Sequence, residues 1–153
     1  LVLAFIAPSF LKGYLNLKPS LIFPLESVHF PLKRYNYPGD KYVDWIGFSG
    51  YDRAAHRRYY GNRNIDAIFD HAIKHFSDYN KPFMISEFGT ANEKEQSKWL
   101  IKAGELLRQR PMIKAAVFFD GFCAETQTDE RLNQEGRVAL KEVIKSDYFI
   151  GAK

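Results

Sequence analysis

Pro82-Phe83-Met84-Ile85-Ser86-Glu87-Phe88-Gly89-Thr90 places a carboxylate at the end of a short apolar run. A run of that length reads as a strand buried on both faces. Parallel α/β folds put reactive groups where such strands end, and an ionised carboxylate is costly to bury without a partner. Glu87 is therefore a candidate catalytic carboxylate; the plainer alternative is a residue capping the helix that follows. His71 and His75 stand four apart on a helical stretch, a spacing that can hold a metal. No Glu follows His71, and Asp70, Lys74 and Asp78 surround the pair, so a solvated helix face is expected instead. His29 and His56 stand in loops without companion ligands. Ser49-Gly50 and Ser86 lack a nucleophile-elbow pattern. Neither a metal site nor a cofactor is expected.

The elements that must position Glu87 have a common character. Val2–Ala7, Val43–Ser49, Phe83–Ser86 and Ala115–Phe119 are mostly apolar rather than alternating, as parallel strands covered on both faces are. Three helical stretches interleave with them. Between Asn64 and Ser77, Ile65, Phe69, Ala72, Ile73 and Phe76 share one face, and Lys81-Pro82 stops the helix. Between Glu93 and Arg110, Trp99, Leu100, Ala103, Leu106 and Leu107 form the stripe; Asn92 with Glu95 suggests a capping box, and Pro111 ends the helix. Between Gln134 and Lys145, Val138, Leu140, Val143 and Ile144 make a weaker stripe. This order implies βα units and a parallel sheet. Ser9 to Lys41, with Pro19, Pro24, Pro31 and Pro38, reads as a long loop, and such loops are often functional.

Composition narrows the partners. The chain has 153 residues, 46% hydrophobic and 16% aromatic, enough to bury a core. A net charge of +4 is modest and scattered. Arg57-Arg58-Tyr59-Tyr60 is the one basic-aromatic cluster, and no phosphate loop or nucleic-acid motif accompanies it. Nucleic acid is not an expected partner. Cys123 is the single cysteine, which excludes an internal disulfide. Leu1 to Ala7 is too short to span a membrane and lacks the features of a signal peptide. The chain does not begin with Met, and a processed, trimmed or incomplete protein is expected.

Tyr37-Pro38-Gly39-Asp40-Lys41-Tyr42-Val43-Asp44-Trp45-Ile46-Gly47-Phe48-Ser49-Gly50-Tyr51 resembles the sixth strand of glycoside hydrolase family 26, known mainly for β-mannanases. Lys81 to Gly89 resembles its seventh strand, Ile113 to Asp120 its eighth, and Ala139 to Phe149 its closing helix. Leu1 to Pro8 would be the fifth strand. The matches run in order from about Tyr37 to the C-terminus.

This resemblance implies the C-terminal half, strands five to eight, of a (β/α)₈ TIM barrel, with residues 1–153 one partial catalytic domain. It implies an endo-β-glycanase that hydrolyses β-linked polysaccharide, β-1,4-mannan foremost, with retention. It places the nucleophile at Glu87 and makes Tyr51 the hydroxyl that donates to it. A retaining enzyme needs a carboxylate to attack the anomeric carbon and an acid nearby to protonate the leaving oxygen. The family's acid/base glutamate follows the fourth strand, ahead of where this chain starts. Asp52, Asp120 and Glu125 do not occupy its motif position. The family often has Trp where this chain has Phe118. Phe118, Asp120 and Phe122 are the expected substrate-binding residues. An extracellular or cell-surface location is implied by the resemblance alone. A half-barrel leaves sheet edges open at Val2–Ala7 and Ala115–Phe119, so a missing N-terminal half or self-association is expected. The alternatives are a non-catalytic carbohydrate-binding remnant using Tyr51, Phe118 and Phe122, or a partner-binding α/β scaffold.

Overall fold

In a computed structural model the described residues are 2–6, 22–25, 37–53, 64–124 and 126–149, the first two segments as backbone alone. His29, His56, Arg57-Arg58-Tyr59-Tyr60 and Glu125 lie outside them. The main sheet holds β1 (Val2–Ile6), β2 (Ile22–Leu25), β3 (Trp45–Asp52), β4 (Phe83–Thr90) and β5 (Ile113–Phe119), in the spatial order β1-β5-β4-β3-β2. Strands β2 to β5 run parallel. Helix α1 (Ile65–Phe76) connects β3 to β4, and α2 (Gln96–Gln109) connects β4 to β5. A short hairpin, β6 (Phe122–Cys123) with β7 (Thr128–Asp129), precedes α3 (Gln134–Ile144).

The helices form where the apolar period required them. The Asn64 side chain caps α1 by accepting from the Ala67 N–H at 2.7 Å, an arrangement worth about 1 kcal/mol. Asn133 does the same for α3 through the Gly136 N–H. The Asn92–Glu95 capping box does not form: Glu95 donates its N–H to the Asn92 carbonyl in a turn, and α2 starts one residue later without a side-chain cap. Of the α3 stripe expected from spacing, Leu140 is buried and Val143 and Ile144 pack partly buried against the core, but Val138 is 57% exposed, and Gly136 and Ala139 complete the buried face. Gly136 lets α3 approach closely: a Cβ there would strike the Gln96 side chain.

One face of the sheet and the helices enclose the core. Ile46, Phe48, Phe69, Phe83, Ile85, Phe88, Trp99 and Phe118 belong to a single buried cluster. Phe88 meets Phe118 edge-on at 5.3 Å and lies beside Trp99 at 5.9 Å. Such ring pairs add about 0.5–1.5 kcal/mol each beyond burial.

Both edges differ from the sequence reading. β1 was expected to be a parallel fifth strand; it runs antiparallel to β5, with Val2 opposite Phe119 and Ile6 opposite Ala115. The edge at Ala115–Phe119, expected to be open, is therefore covered by β1. The chain leaving Ile6 is also at the opposite end of the sheet from the C-terminal ends of β3 to β5. Periodicity identifies a strand but carries no information about its direction, and that is why the direction was missed. On the other side, β2 forms inside the stretch read as a loop because of its prolines, and Pro24 pairs with Gly47. An edge strand has a side without a partner, so it tolerates the missing proline N–H.

Candidate active site

Two register shifts decide where Glu87 points. Along β4, Phe83 and Ile85 face the helices, and simple alternation would send Glu87 the same way. Instead Phe48 pairs with Ile85 while Ser49 pairs with Glu87, and on the other side Ile85 pairs with Ala116 while Phe88 pairs with Phe118. One extra residue is absorbed at Ser86-Glu87. Phe88 thereby takes the helix-facing position, and Glu87 takes the opposite face. Bulges that re-aim a side chain in this way are common beside active sites. Glu87 lies inside β4, three residues before its end at Thr90.

On β3, Ile46, Phe48 and Gly50 face the helices; Gly50 has no room for a Cβ beside Ile68 and Phe69. Ser49 and Tyr51 take the other face. The Tyr51 hydroxyl donates a hydrogen bond to Glu87. Burial, that hydrogen bond and the charge of Glu87 push the Tyr51 phenol well above the ordinary tyrosine range; Arg53 pulls it down and Glu130 adds to the rise. Gly89 lies close beside the pair. A Cβ there would sit 3.3 Å from the Tyr51 ring and 3.3 Å from the Phe119 carbonyl oxygen. The Phe119 ring meets Tyr51 edge-on at 6.2 Å.

The remaining expected residues divide. Phe118 is 0% exposed and packs in the helix-side core, so it offers no platform to a sugar. Its neighbour Phe119 reaches the face of Glu87, since adjacent strand residues point to opposite sides. Phe122 is 50% exposed on β6. Asp120 accepts the Leu132 N–H on Oδ1 at 2.8 Å, tying the end of β5 to the segment before α3. Asp52 is 2% exposed, and the Thr90 hydroxyl donates to it at 3.3 Å. Gln96 ties α2 to the segment before α3. Its amide donates to the Arg131 carbonyl at 3.1 Å, and its oxygen accepts from the Asn133 N–H at 2.9 Å.

Two residues were missed from the sequence. Arg53, just beyond β3, lays its guanidinium 4.0 Å from the centre of the Tyr51 ring. Its Nε donates to Glu130 at 2.8 Å, and Glu130 is 0% exposed. They lie 77 positions apart in the chain. No local signal joins them; the one hint was a Glu in a turn-rich stretch two residues after a Thr. The His71 and His75 rings lie nearly parallel on α1, with their centroids 6.3 Å apart. No group of three or more His, Cys, Asp or Glu able to hold a metal occurs among the described residues. None of the described helices is long and apolar enough to cross a membrane.

No family model matches the chain. The chain is 30% identical over 114 residues to endoglucanase H of Acetivibrio thermocellus, a match that takes in 71% of the chain and 12% of that protein. In three dimensions it is similar, with a TM-score of 0.44 and 24% identity, to a GH128 (subgroup II) endo-β-1,3-glucanase from Sorangium cellulosum. That likeness covers 64% of the chain and 41% of the glucanase. The chain thus spans about an eighth of the curated relative it matches, and over that stretch it is glycoside hydrolase-like.

Proposed function

We propose that this chain carries the nucleophile half of a retaining endo-β-glycanase, with Glu87 as the nucleophile. The observation that carries the reading is the Tyr51 hydroxyl donating to Glu87, on the face of the parallel strands that the helices leave uncovered. In the reaction a Glu87 oxygen attacks the anomeric carbon as the bond to the leaving oxygen breaks, forming a glycosyl ester. Tyr51 holds the carboxylate in line for that attack and remains protonated throughout the working pH range. Water then cleaves the ester, and configuration is retained after two inversions.

The family 26 resemblance supports an acid/base glutamate that follows the fourth strand of such a barrel, ahead of Leu1. Asp52, Asp120 and Glu130 are committed to Thr90, to the Leu132 N–H and to Arg53 respectively. The completed enzyme is a (β/α)₈ barrel acting outside the cell. The family 26 resemblance supports β-1,4-mannan as the substrate, and the name of the endoglucanase relative supports a β-glucan. Assays on both polymers rank them.

Glu87→Ala in the full-length protein tests the assignment. Hydrolysis is expected to disappear while polysaccharide binding persists. Azide should then restore part of the turnover of an aryl glycoside, giving the glycosyl azide of inverted configuration, because a small anion enters the vacated space. Wild-type turnover by Glu87→Ala would assign the role to another carboxylate.

A further inference from the structure

We propose that Glu130 is a positioning residue for the nucleophile: it anchors Arg53, which clamps Tyr51, which orients Glu87. The inference deepens the glycosidase reading and rests on it for the meaning of Glu87.

Glu130 is a fully buried carboxylate outside the strand that bears the candidate nucleophile. Arg53 Nε at 2.8 Å and Thr128 Oγ1 at 2.6 Å both donate to its Oε1. Its Oε2 has no hydrogen-bond partner among the described residues. Its backbone N–H is tied to the Gly121 carbonyl at 2.9 Å, so the carboxylate is held by the chain as well. For stability alone this is a poor arrangement. Desolvating two charges costs several kcal/mol, and apolar residues of similar volume commonly do as well or better. A half-satisfied buried carboxylate increases that cost.

The geometry gives the pair another use. Arg53 covers one face of the Tyr51 ring, the Phe119 ring meets the ring edge-on, and Gly89 lies close against it, where a Cβ would be a tight 3.3 Å from the ring. The ring is held on three sides, and its hydroxyl is aimed at Glu87. Without Glu130, Arg53 has no buried partner and swings toward solvent, releasing the ring. The charged and titratable groups around Tyr51 are Glu87 on β4, Arg53 beyond β3 and Glu130 beyond β7. The element on the far side, β5, presents Phe119.

The test uses the full-length protein with Glu130→Gln, Arg53→Met and the double variant. Glu87 is labelled with 2,4-dinitrophenyl 2-deoxy-2-fluoro-β-cellobioside or the matching mannobioside and followed by mass spectrometry. The Glu87 oxygen bonds to the anomeric carbon, and dinitrophenolate departs with the bonding pair, needing no proton from the protein. In parallel, the ¹³Cζ NMR signal of Tyr51, assigned with Tyr51→Phe, reports the ring directly. Each single variant is expected to label about 10- to 100-fold more slowly at unchanged inactivator affinity, with a displaced Tyr51 signal. The double variant, which leaves no unpaired buried charge, should recover the melting temperature but not the labelling rate. Recovery of both would make the pair merely structural and overturn the proposal. So would a Tyr51 signal unmoved in all three variants. A wild-type protein that is not labelled, with Tyr51 displaced in the variants, would uphold the clamp and overturn the glycosidase reading. Should Arg53→Met fail to fold, Glu130→Gln and the double variant still decide.

Discussion

The two faces of strands β3 to β5 are built from the same backbone and do opposite work. The helix-side face is Ile46, Phe48, Phe83, Ile85, Phe88 and Phe118, all buried and all apolar. The other face carries Ser49, Tyr51, Glu87 and Phe119, each partly exposed, with Arg53 and Glu130 beside them. What separates the two sets is parity along each strand. The register shift at Ser86-Glu87 changes that parity for one residue that matters. A strict strand would have turned Glu87 into the phenylalanine core, where an unpaired carboxylate costs far more than an N-terminal cap or a surface ion pair returns.

The sharpest way to break this contrast is to truncate the two neighbours on β5. Phe118→Ala should cost about 3–5 kcal/mol, because it opens a cavity among Phe88, Trp99 and their surroundings. Phe119→Ala should cost about 1 kcal/mol or less in stability, yet disturb Glu87 labelling through the loss of its contact with Tyr51. Chemical denaturation of the two variants checks the pair; equal losses would mean that the faces are not distinct.

Gly50→Ala comes next. The new methyl would strike Ile68 and crowd the Phe69 ring, and overpacking of this kind costs about 1–3 kcal/mol. A melting curve measures it, and a neutral result would move α1 away from β3.

Tyr51→Phe should have a smaller effect, about 1 kcal/mol, since it removes one hydrogen bond and leaves the ring. Its pH dependence has a definite sign. The folded protein raises the Tyr51 pKa above the unfolded value. The stability this contributes is fully present below the ordinary tyrosine value of about 10 and is lost as pH rises through the folded value. The difference between wild type and Tyr51→Phe should therefore be constant at neutral pH and shrink only in strong alkali. Denaturant midpoints across that range test it, and a difference that shrinks on acidification would assign the effect to another group.

Val138→Lys should change stability by less than about 0.5 kcal/mol, because the side chain already faces water on α3. A loss of several times that, by the same denaturation measurement, would mean that the exposed patch is covered by something.

Much of the scaffold was legible because local rules governed it. Phe69, Phe76, Trp99 and Leu107 recur at the helical period, and the helices they imply begin and end within a few residues of the expected points. Three of the four expected strands form in parallel-sheet positions, as their apolar character required. Glu87 stood out because a carboxylate interrupts an apolar run, and its meeting with Tyr51 followed from the family resemblance. The rest depended on residues far apart in the chain. Direction is invisible in a short apolar strand, so the antiparallel pairing of β1 could not be read from Val2–Ile6. Pro24 hid β2, since a proline excludes a central strand but not an edge. Phe118 and Phe119 look equivalent in sequence, and the bulges upstream decide which of them is core. The Arg53–Glu130 pair arises only when β3 and the segment after β7 are brought together, because a buried charge selects its partner in space rather than along the chain.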